Sequence, residues 1–462
     1  MTSASTGADI VDRLGVRLRP TGPGPDLTVL LGLALRRNPR RAQLLVSQVL
    51  GKHVPTDPRL VRAAGLLLGG LVADALAGRA PRALPVDLLH AAVRGHRDAV
   101  VTLHEAAAGA VGAAPDALVL GFAETATALG HCVAEALGVA EALGVADGLG
   151  GADYLHSTRR PVPGLATAGG FTEEHSHATD HLLLPADPAL LQGGRPLVLV
   201  DDELSTGRTA LNTIAALHRT APREHYVLAA LVDVRPDPAA LVDGVRALGA
   251  RLDVVALARG TVELPVDLAE RAAALRAELD GRLACPEGAT HAAETGDSRV
   301  ELRALGWPDG LLVGGRHGFG PADHAALAAA LPGLADGVAR HAGIAAGDRV
   351  LVLGTEELMA LPLRLAQTLA DAGHDVRFST TTRSPAVVAD EDGYALRTGI
   401  TFPAHDDPAD GPGPRFAYNI GAAHWDHVLV VVDPPANTAA LRTGLLAALA
   451  PHTDRTTLVV TP

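Results

Sequence analysis

One stretch constrains this chain more than any other: residues 197–209 read Leu-Val-Leu-Val-Asp-Asp-Glu-Leu-Ser-Thr-Gly-Arg-Thr. Four consecutive apolar residues predict a strand buried on both faces, the pattern of a parallel sheet covered by helices. Adjacent carboxylates, Asp201 and Asp202, end that run. A hydroxyl-and-glycine turn follows, and Ala210, Leu211, Ile214, Ala215 and Leu217 then recur at helical spacing. Strand, short loop and helix N-terminus make a cradle for an anion, because unpaired N–H groups and the helix dipole both favour negative charge. Gly207 lets the backbone approach a phosphate closely, and Ser205, Thr206 and Thr209 can donate hydroxyls. Two acids just upstream suit a vicinal diol, so phosphate and diol together describe a ribose 5-phosphate site.

These residues resemble the phosphoribosyl pyrophosphate (PRPP) signature of the type I phosphoribosyltransferases. The resemblance implies that Asp201 and Asp202 hold the ribose hydroxyls and that the loop Ser205-Thr206-Gly207-Arg208-Thr209 holds the 5-phosphate. Glu203 departs from the pattern, standing where many members have an apolar residue. Other phosphate loops fit less well. The chain has no G-x-x-x-x-G-K-[ST], and the glycines of 144–151 lack the G-x-G-x-x-G order and read as a turn.

A chain of 462 residues implies two or three domains. A net charge of −13 argues against a nucleic-acid binder, which needs clustered Lys and Arg. The one compact basic cluster, Arg36-Arg37-Asn38-Pro39-Arg40-Arg41, suits a single small polyanion. Cys132 and Cys285 give neither a disulfide framework nor zinc-ligand spacing. With no signal-peptide pattern at the start and no apolar run long enough to span a bilayer, the expectation is a cytoplasmic protein with no membrane partner. A homodimer is compatible with it.

Residues 1–26 are expected to be flexible. Leu27–Leu35 is apolar, and Arg41–Leu50 shows helical periodicity through Leu44, Leu45 and Val49. Helices are expected over Val61–Ala77, Val86–Gly109 and Leu268–Leu283, and strands at Leu118–Gly121, Val227–Val232 and Asp253–Ala256. Strands alternating with helices predict an α/β fold with a parallel sheet flanked by helices. The polar stretch after Leu283 sets the expected boundaries: a first domain at 27–284, a linker at 285–310 and a second domain at 311–462.

The second half echoes the first in order. Leu118–Gly121 has a counterpart in Leu351–Gly354, His156–Pro161 in Thr380–Pro385, and the 196–201 strand in Val428–Asp433. The echo predicts a duplicated α/β domain that lacks the chemistry, since Pro434 replaces the second acid and no Thr-Gly-x-Thr follows. This layout resembles a bacterial two-domain family of tellurium-resistance and stress gene clusters. Its members join an orotate-phosphoribosyltransferase-like domain to one named for a Thr-Arg-Ser-Pro (TRSP) motif, here Thr382-Arg383-Ser384-Pro385. Glu173–Ala178 and Leu50–His53 also look like family motifs.

The resemblance implies PRPP-dependent transfer to an unidentified base or base-like acceptor, with Mg²⁺ on the substrate. Asp201 and Asp202 are the principal catalytic candidates, with Glu203 a weaker candidate beside them for PRPP. For pyrophosphate, the candidates are the loop Phe122-Ala123-Glu124-Thr125-Ala126 by its backbone, with Arg159, Arg160 and Lys52. Phe171–Ala178 is expected to be a closing lid, with His175 or His177 as general acid/base. A regulatory binder that senses PRPP or nucleotides without catalysis is the alternative. For the second domain, a structural lid is expected ahead of a second active site, with Arg383, Tyr418 and Asn419 as polar groups that can hold a ligand.

Overall fold

In the computed structural model the chain is described over residues 7–38, 41–109, 112–138, 152–160, 162, 167–172, 180–283, 298–405 and 413–462. The first sheet contains β1 (Arg17–Pro20), β4 (Leu118–Gly121), β5 (Asp153–His156), β6 (Leu197–Leu204), β7 (His225–Asp233) and β8 (Arg251–Glu263). Its spatial order is β1-β8-β7-β6-β4-β5, and every pairing is parallel except β1 with β8. The expected parallel α/β sheet is therefore present. The apolar runs of β4, β6 and β7 are buried, as a sheet covered on both faces requires.

Helices α1 (Pro58–Leu76) and α2 (Thr127–Ala136) cover one face of this sheet, and α3 (Arg208–Thr220) covers the other. Helices α1 and α2 touch backbone to backbone. A Cβ on Gly65 would lie 2.4 Å from Cys132 Cβ, and one on Gly69 would lie 2.4 Å from Ala136 Cβ. Among the described residues no helix is long and apolar enough to cross a membrane.

The second sheet is wholly parallel: β9 (Ser298–Glu301), β10 (Arg349–Gly354), β11 (Asp375–Thr380), β12 (Trp425–Val432) and β13 (Thr453–Val460), in the order β9-β13-β12-β10-β11. Its last four strands, taken in chain order, occupy the same relative places as β4, β5, β6 and β7. The echo in the sequence is thus matched strand for strand. Helix α4 (Ala360–Asp371) packs on α1 and α2, so a single apolar core runs between the two sheets.

Four expectations need correction. Gly7–Leu14 is a helix lying on Leu268–Leu283, and Arg17–Pro20 is an edge strand, so residues 1–26 are not uniformly flexible. Arg41–Leu50 is not helical. Gln43–Ser47 (β3) is a strand paired with Leu31–Leu35 (β2), because a short apolar run fits either period and the neighbouring strand decides. The strand carrying the acids does not stop at them but continues to Leu204. Ser298–Glu301, inside the stretch expected as a linker, is hydrogen-bonded to the second sheet. The glycines of 144–151 lie outside the described residues.

Candidate active site

From β4 the chain crosses outward to β5, then returns past β4 to β6. Neighbours β4 and β6 therefore send their loops in opposite directions, and a crevice opens beyond their C-terminal ends, where open α/β sheets bind ligands. A cavity of about 440 Å³ lies there. Asp201, Asp202, Glu203, Ser205, Thr206, Gly207 and Thr209 line one wall, and Phe122, Ala123, Glu124 and Thr125 line another.

The first loop is shaped for an anion. Gly207 is the N-cap of α3 at φ 77°, a left-handed conformation that glycine adopts without steric cost. Even so, a Cβ there would sit 3.0 Å from Leu241 Cδ2. Gly207 has no side chain to cap α3, and the Arg208 N–H donates to Thr206 Oγ1 at 3.4 Å; a helix N-terminus of this kind favours an anion. Asp201 and Asp202 are half-buried, and the Asp202 N–H donates to Asp201 Oδ1 at 2.9 Å. Glu203 is ion-paired with Arg41 of the β2–β3 hairpin. Arg208 is exposed and does not line the cavity.

The second loop carries an acid that is already compensated. Lys52 Nζ donates to Thr125 Oγ1 at 2.6 Å and lies 3.9 Å from Glu124 Oε2. On the loop's other side the Ala123 N–H donates to Ser157 Oγ at 3.0 Å, and that hydroxyl meets His181 Nδ1 at 2.8 Å. His181 stacks on Phe171. Ala126 is the N-cap of α2 and is not part of the cavity wall.

The second domain closes the cavity. Thr382–Pro385, the Thr-Arg-Ser-Pro motif, and Gly413–Phe416 form its far wall. Arg383 Nε lies 3.1 Å from Glu124 Oε1, and Arg383 and Arg415 both pair with Glu356. Glu356 itself adopts a left-handed φ of 51°, a conformation that costs a non-glycine residue about 1 kcal/mol or more. The β2–β3 hairpin, which contributes Arg36, Asn38, Arg41, Leu44 and Leu45 to the cavity, is hydrogen-bonded along the second domain. Val387 N–H donates to Leu35 O at 2.8 Å and Arg37 N–H to Pro385 O at 3.1 Å.

The domain joint is pinned by Glu357. Its carboxylate accepts from Thr158 Oγ1 and from the Arg159 N–H, both at 2.7 Å, and from Arg316 at 3.2 Å. Burial pushes this carboxyl upward, but Arg316, His156 and the two hydrogen bonds outweigh it and hold the group down at about 2. Burial pushes His156 down to about 4, so it is neutral at pH 7. His53 lines the cavity, and burial together with Lys52 and Arg36 holds it well below its ordinary value; among the described residues its Nε2 has no hydrogen-bond partner.

Of the residues expected for pyrophosphate, Lys52 and Arg159 line the cavity, whereas Arg160 does not; it reaches Asp433 of the second domain at 3.2 Å. His175 and His177 lie outside the described residues, as does most of the expected lid. His181, Arg415 and Phe416 join the cavity without having been singled out in the sequence. A signal existed. The hairpin Gly169–Thr172/Asp180–Leu183 corresponds to Gly399–Pro403/Pro414–Tyr418, with Thr158 bridged to Leu182 in one and Thr382 to Phe416 in the other. Extending the internal repeat through these hairpins aligns Arg415 with His181.

A family model described as "Phosphoribosyl transferase" matches residues 30–261, and one described as "TRSP domain C terminus to PRTase_2" matches residues 313–449. Among curated proteins, none matches the chain. Similar solved structures include three adenine phosphoribosyltransferases. That of Trypanosoma brucei is 15% identical, with a TM-score of 0.21, over 31% of this chain and 56% of the other. That of Rhodothermus marinus is 17% identical, with a TM-score of 0.25, over 54% and 97%. That of Giardia lamblia is 22% identical, with a TM-score of 0.23, over 35% and 81%.

Proposed function

We propose that this chain, which belongs to the phosphoribosyl transferase family, moves the ribose 5-phosphate group of PRPP to a base or base-like acceptor and releases pyrophosphate. The observation that carries the reading is a convergence. An acid pair suited to a diol and a glycine-capped helix N-terminus suited to a phosphate share one cavity at the switch point of the sheet. In the reaction the C1–oxygen bond to pyrophosphate breaks and a bond from C1 to an acceptor nitrogen forms, through a sugar with oxocarbenium character. Ser205, Thr206, Gly207 and Thr209 hold the 5-phosphate. Asp201 and Asp202 hold the ribose hydroxyls and stabilise positive charge on the ring. Phe122–Thr125, Lys52 and Arg159 receive the pyrophosphate as its charge grows. The acceptor enters under the β2–β3 hairpin, against Leu44 and Leu45. Proton transfer at the acceptor is assigned to His175 or His177.

Among the described residues no group of three or more His, Cys, Asp or Glu side chains forms a metal cage. Asp201 and Asp202 nonetheless fit Mg²⁺, which takes one or two carboxylates and completes its shell with substrate oxygens and water. When bound, it would offset charge on the pyrophosphate.

The test is calorimetry with PRPP and Mg²⁺ on the wild type and on Asp201→Asn with Asp202→Asn. Both acids are half-buried at the cavity, so the double variant should stay folded while PRPP binding disappears. Unchanged affinity would refute the reading. A PRPP-consumption screen against purine, pyrimidine and pyridine acceptors then identifies the substrate, and binding without turnover on any acceptor would refute transfer.

A further inference from the structure

We propose that Arg383 and Arg415 of the second domain complete the pyrophosphate subsite of the first, so that one catalytic cavity is built from both halves of the chain. The proposal rests on the phosphoribosyl transfer reading above. The starting point is an electrostatic mismatch. Glu124 is a buried acid on the loop assigned to pyrophosphate, and an uncompensated carboxylate there would repel the ligand. Two cations compensate it: Lys52 from the first domain and Arg383 from the second, at 3.9 and 3.1 Å.

Among the described residues, six Lys and Arg side chains line the cavity against four carboxylates, those of Glu124, Asp201, Asp202 and Glu203. Lys52, Arg159, Arg383 and Arg415 all line the cavity around Glu124, while Glu356, behind the wall, orients the two second-domain arginines. That surplus suits a polyanion, and guanidinium groups can grip phosphate oxygens in bidentate fashion. Glu356 holds its arginines from a left-handed backbone position, the kind of strain that persists where neighbours over-determine a site.

The joint is arranged symmetrically. Glu357 occupies in the second domain the place of Glu124 in the first, and Arg383 the place of Arg159. Glu357 reaches across to the Arg159 N–H, and Glu124 reaches across to Arg383. The interface is therefore a pseudo-twofold one, with each half offering its loop acid to the other half's arginine segment. In the first half this exchange lies next to the phosphate loop. In the second half Pro434 and Pro435 follow Asp433, and Asp433 is paired with Arg160.

The test measures the affinities of PRPP, pyrophosphate and ribose 5-phosphate, each with Mg²⁺, in full-length wild type, Arg383→Ala, Arg415→Ala and Arg383→Lys. Loss of a charged hydrogen-bond donor should weaken PRPP and pyrophosphate by roughly 10- to 100-fold and leave ribose 5-phosphate within about threefold. Arg383→Lys should recover part of the loss. Unchanged PRPP affinity, or an equal fall for ribose 5-phosphate, overturns the proposal. A second variant guards against misfolding: Glu124→Gln removes the acid that competes for Arg383, and should tighten pyrophosphate binding. Weaker pyrophosphate binding in Glu124→Gln also overturns it. Failure of the wild type to bind ribose 5-phosphate would instead bring down the phosphoribosyl transfer reading, and the composite subsite with it.

Discussion

Replacing Glu357 with glutamine should loosen the joint between the two domains by an amount set by its charge. Glutamine keeps the shape and one acceptor oxygen for the Thr158 hydroxyl and the Arg159 N–H, but leaves Arg316 facing a neutral amide. The carboxyl is held at about 2 against an ordinary 4.5. Because the folded state prefers the ionised form, the stabilisation is complete above pH 4.5 and fades as pH falls toward 2. The gap corresponds to about 3 kcal/mol at neutral pH, falling to about 1.4 kcal/mol by pH 3. Urea unfolding followed by tryptophan fluorescence suits the measurement, since Trp307 and Trp425 are the two tryptophans of the chain and both lie in its second half. The wild type should exceed Glu357→Gln by about 3 kcal/mol at pH 7 and at pH 5.5, and by less than half of that at pH 3. A difference below about 1 kcal/mol at pH 7, or one that does not change with pH, would refute the assignment of a buried, charged anchor.

Gly207→Ala forces an alanine into a left-handed φ of 77° with its Cβ against Leu241, and should cost about 1–2 kcal/mol while weakening ribose 5-phosphate binding. Thermal unfolding and calorimetry check both parts, and an alanine variant with wild-type stability and affinity would show that the loop does not need this conformation. Glu135 is buried between Arg62 and Arg364, each at 2.7 Å, on the packed helices between the sheets. Glu135→Ala leaves the buried Arg62 and the partly buried Arg364 without that partner and should cost about 3–5 kcal/mol in urea unfolding; a loss near zero would mean that water reaches the cluster.

The first domain was largely legible because its decisive strands are short, wholly apolar and followed by turn chemistry. Leu118–Gly121 and Leu197–Val200 allow no half-exposed arrangement, and Gly207 before a helical pattern has few structural alternatives. What escaped reading depends on contacts distant in sequence. Leu44, Leu45 and Val46 fit a helix as well as a strand until Leu31–Leu35 is placed beside them. Glu203 reads as a third member of the acid cluster until Arg41 arrives from the hairpin. Arg160, next to Arg159 and chemically identical, points to Asp433 instead of the cavity, and no local pattern separates the two. The second domain's share of the site was hidden for the same reason: Arg415 follows a Gly-Pro-Gly-Pro stretch that reads as a loop, and only the folded hairpin brings it to the wall.

The repeat explains why a half without the acid pair remains part of the site. A βα-loop domain can lack its ligand chemistry at one turn and still keep the surface by which it meets its counterpart, because the two involve different residues. Here the turn after β12 reads Asp-Pro-Pro, and proline supplies neither a second carboxylate nor an N–H for an anion. The interface set is intact on both sides. Thr158 and Thr382 each accept from the N–H two residues on, each segment bridges to its own hairpin, and each meets the opposite loop's glutamate, Arg159 by its backbone N–H and Arg383 by its guanidinium. Asp433, which the strand register puts level with Asp202, anchors Arg160, so the acid position proposed to hold sugar hydroxyls in one half ties the two halves together in the other. Under the proposed function the two halves would divide the work: the first offers the acid pair and the phosphate loop, and the second would fix the hairpin over the acceptor and bring arginines to the leaving group. A point substitution at the joint should then change catalysis through the geometry of Arg159 and Arg383 as much as through stability.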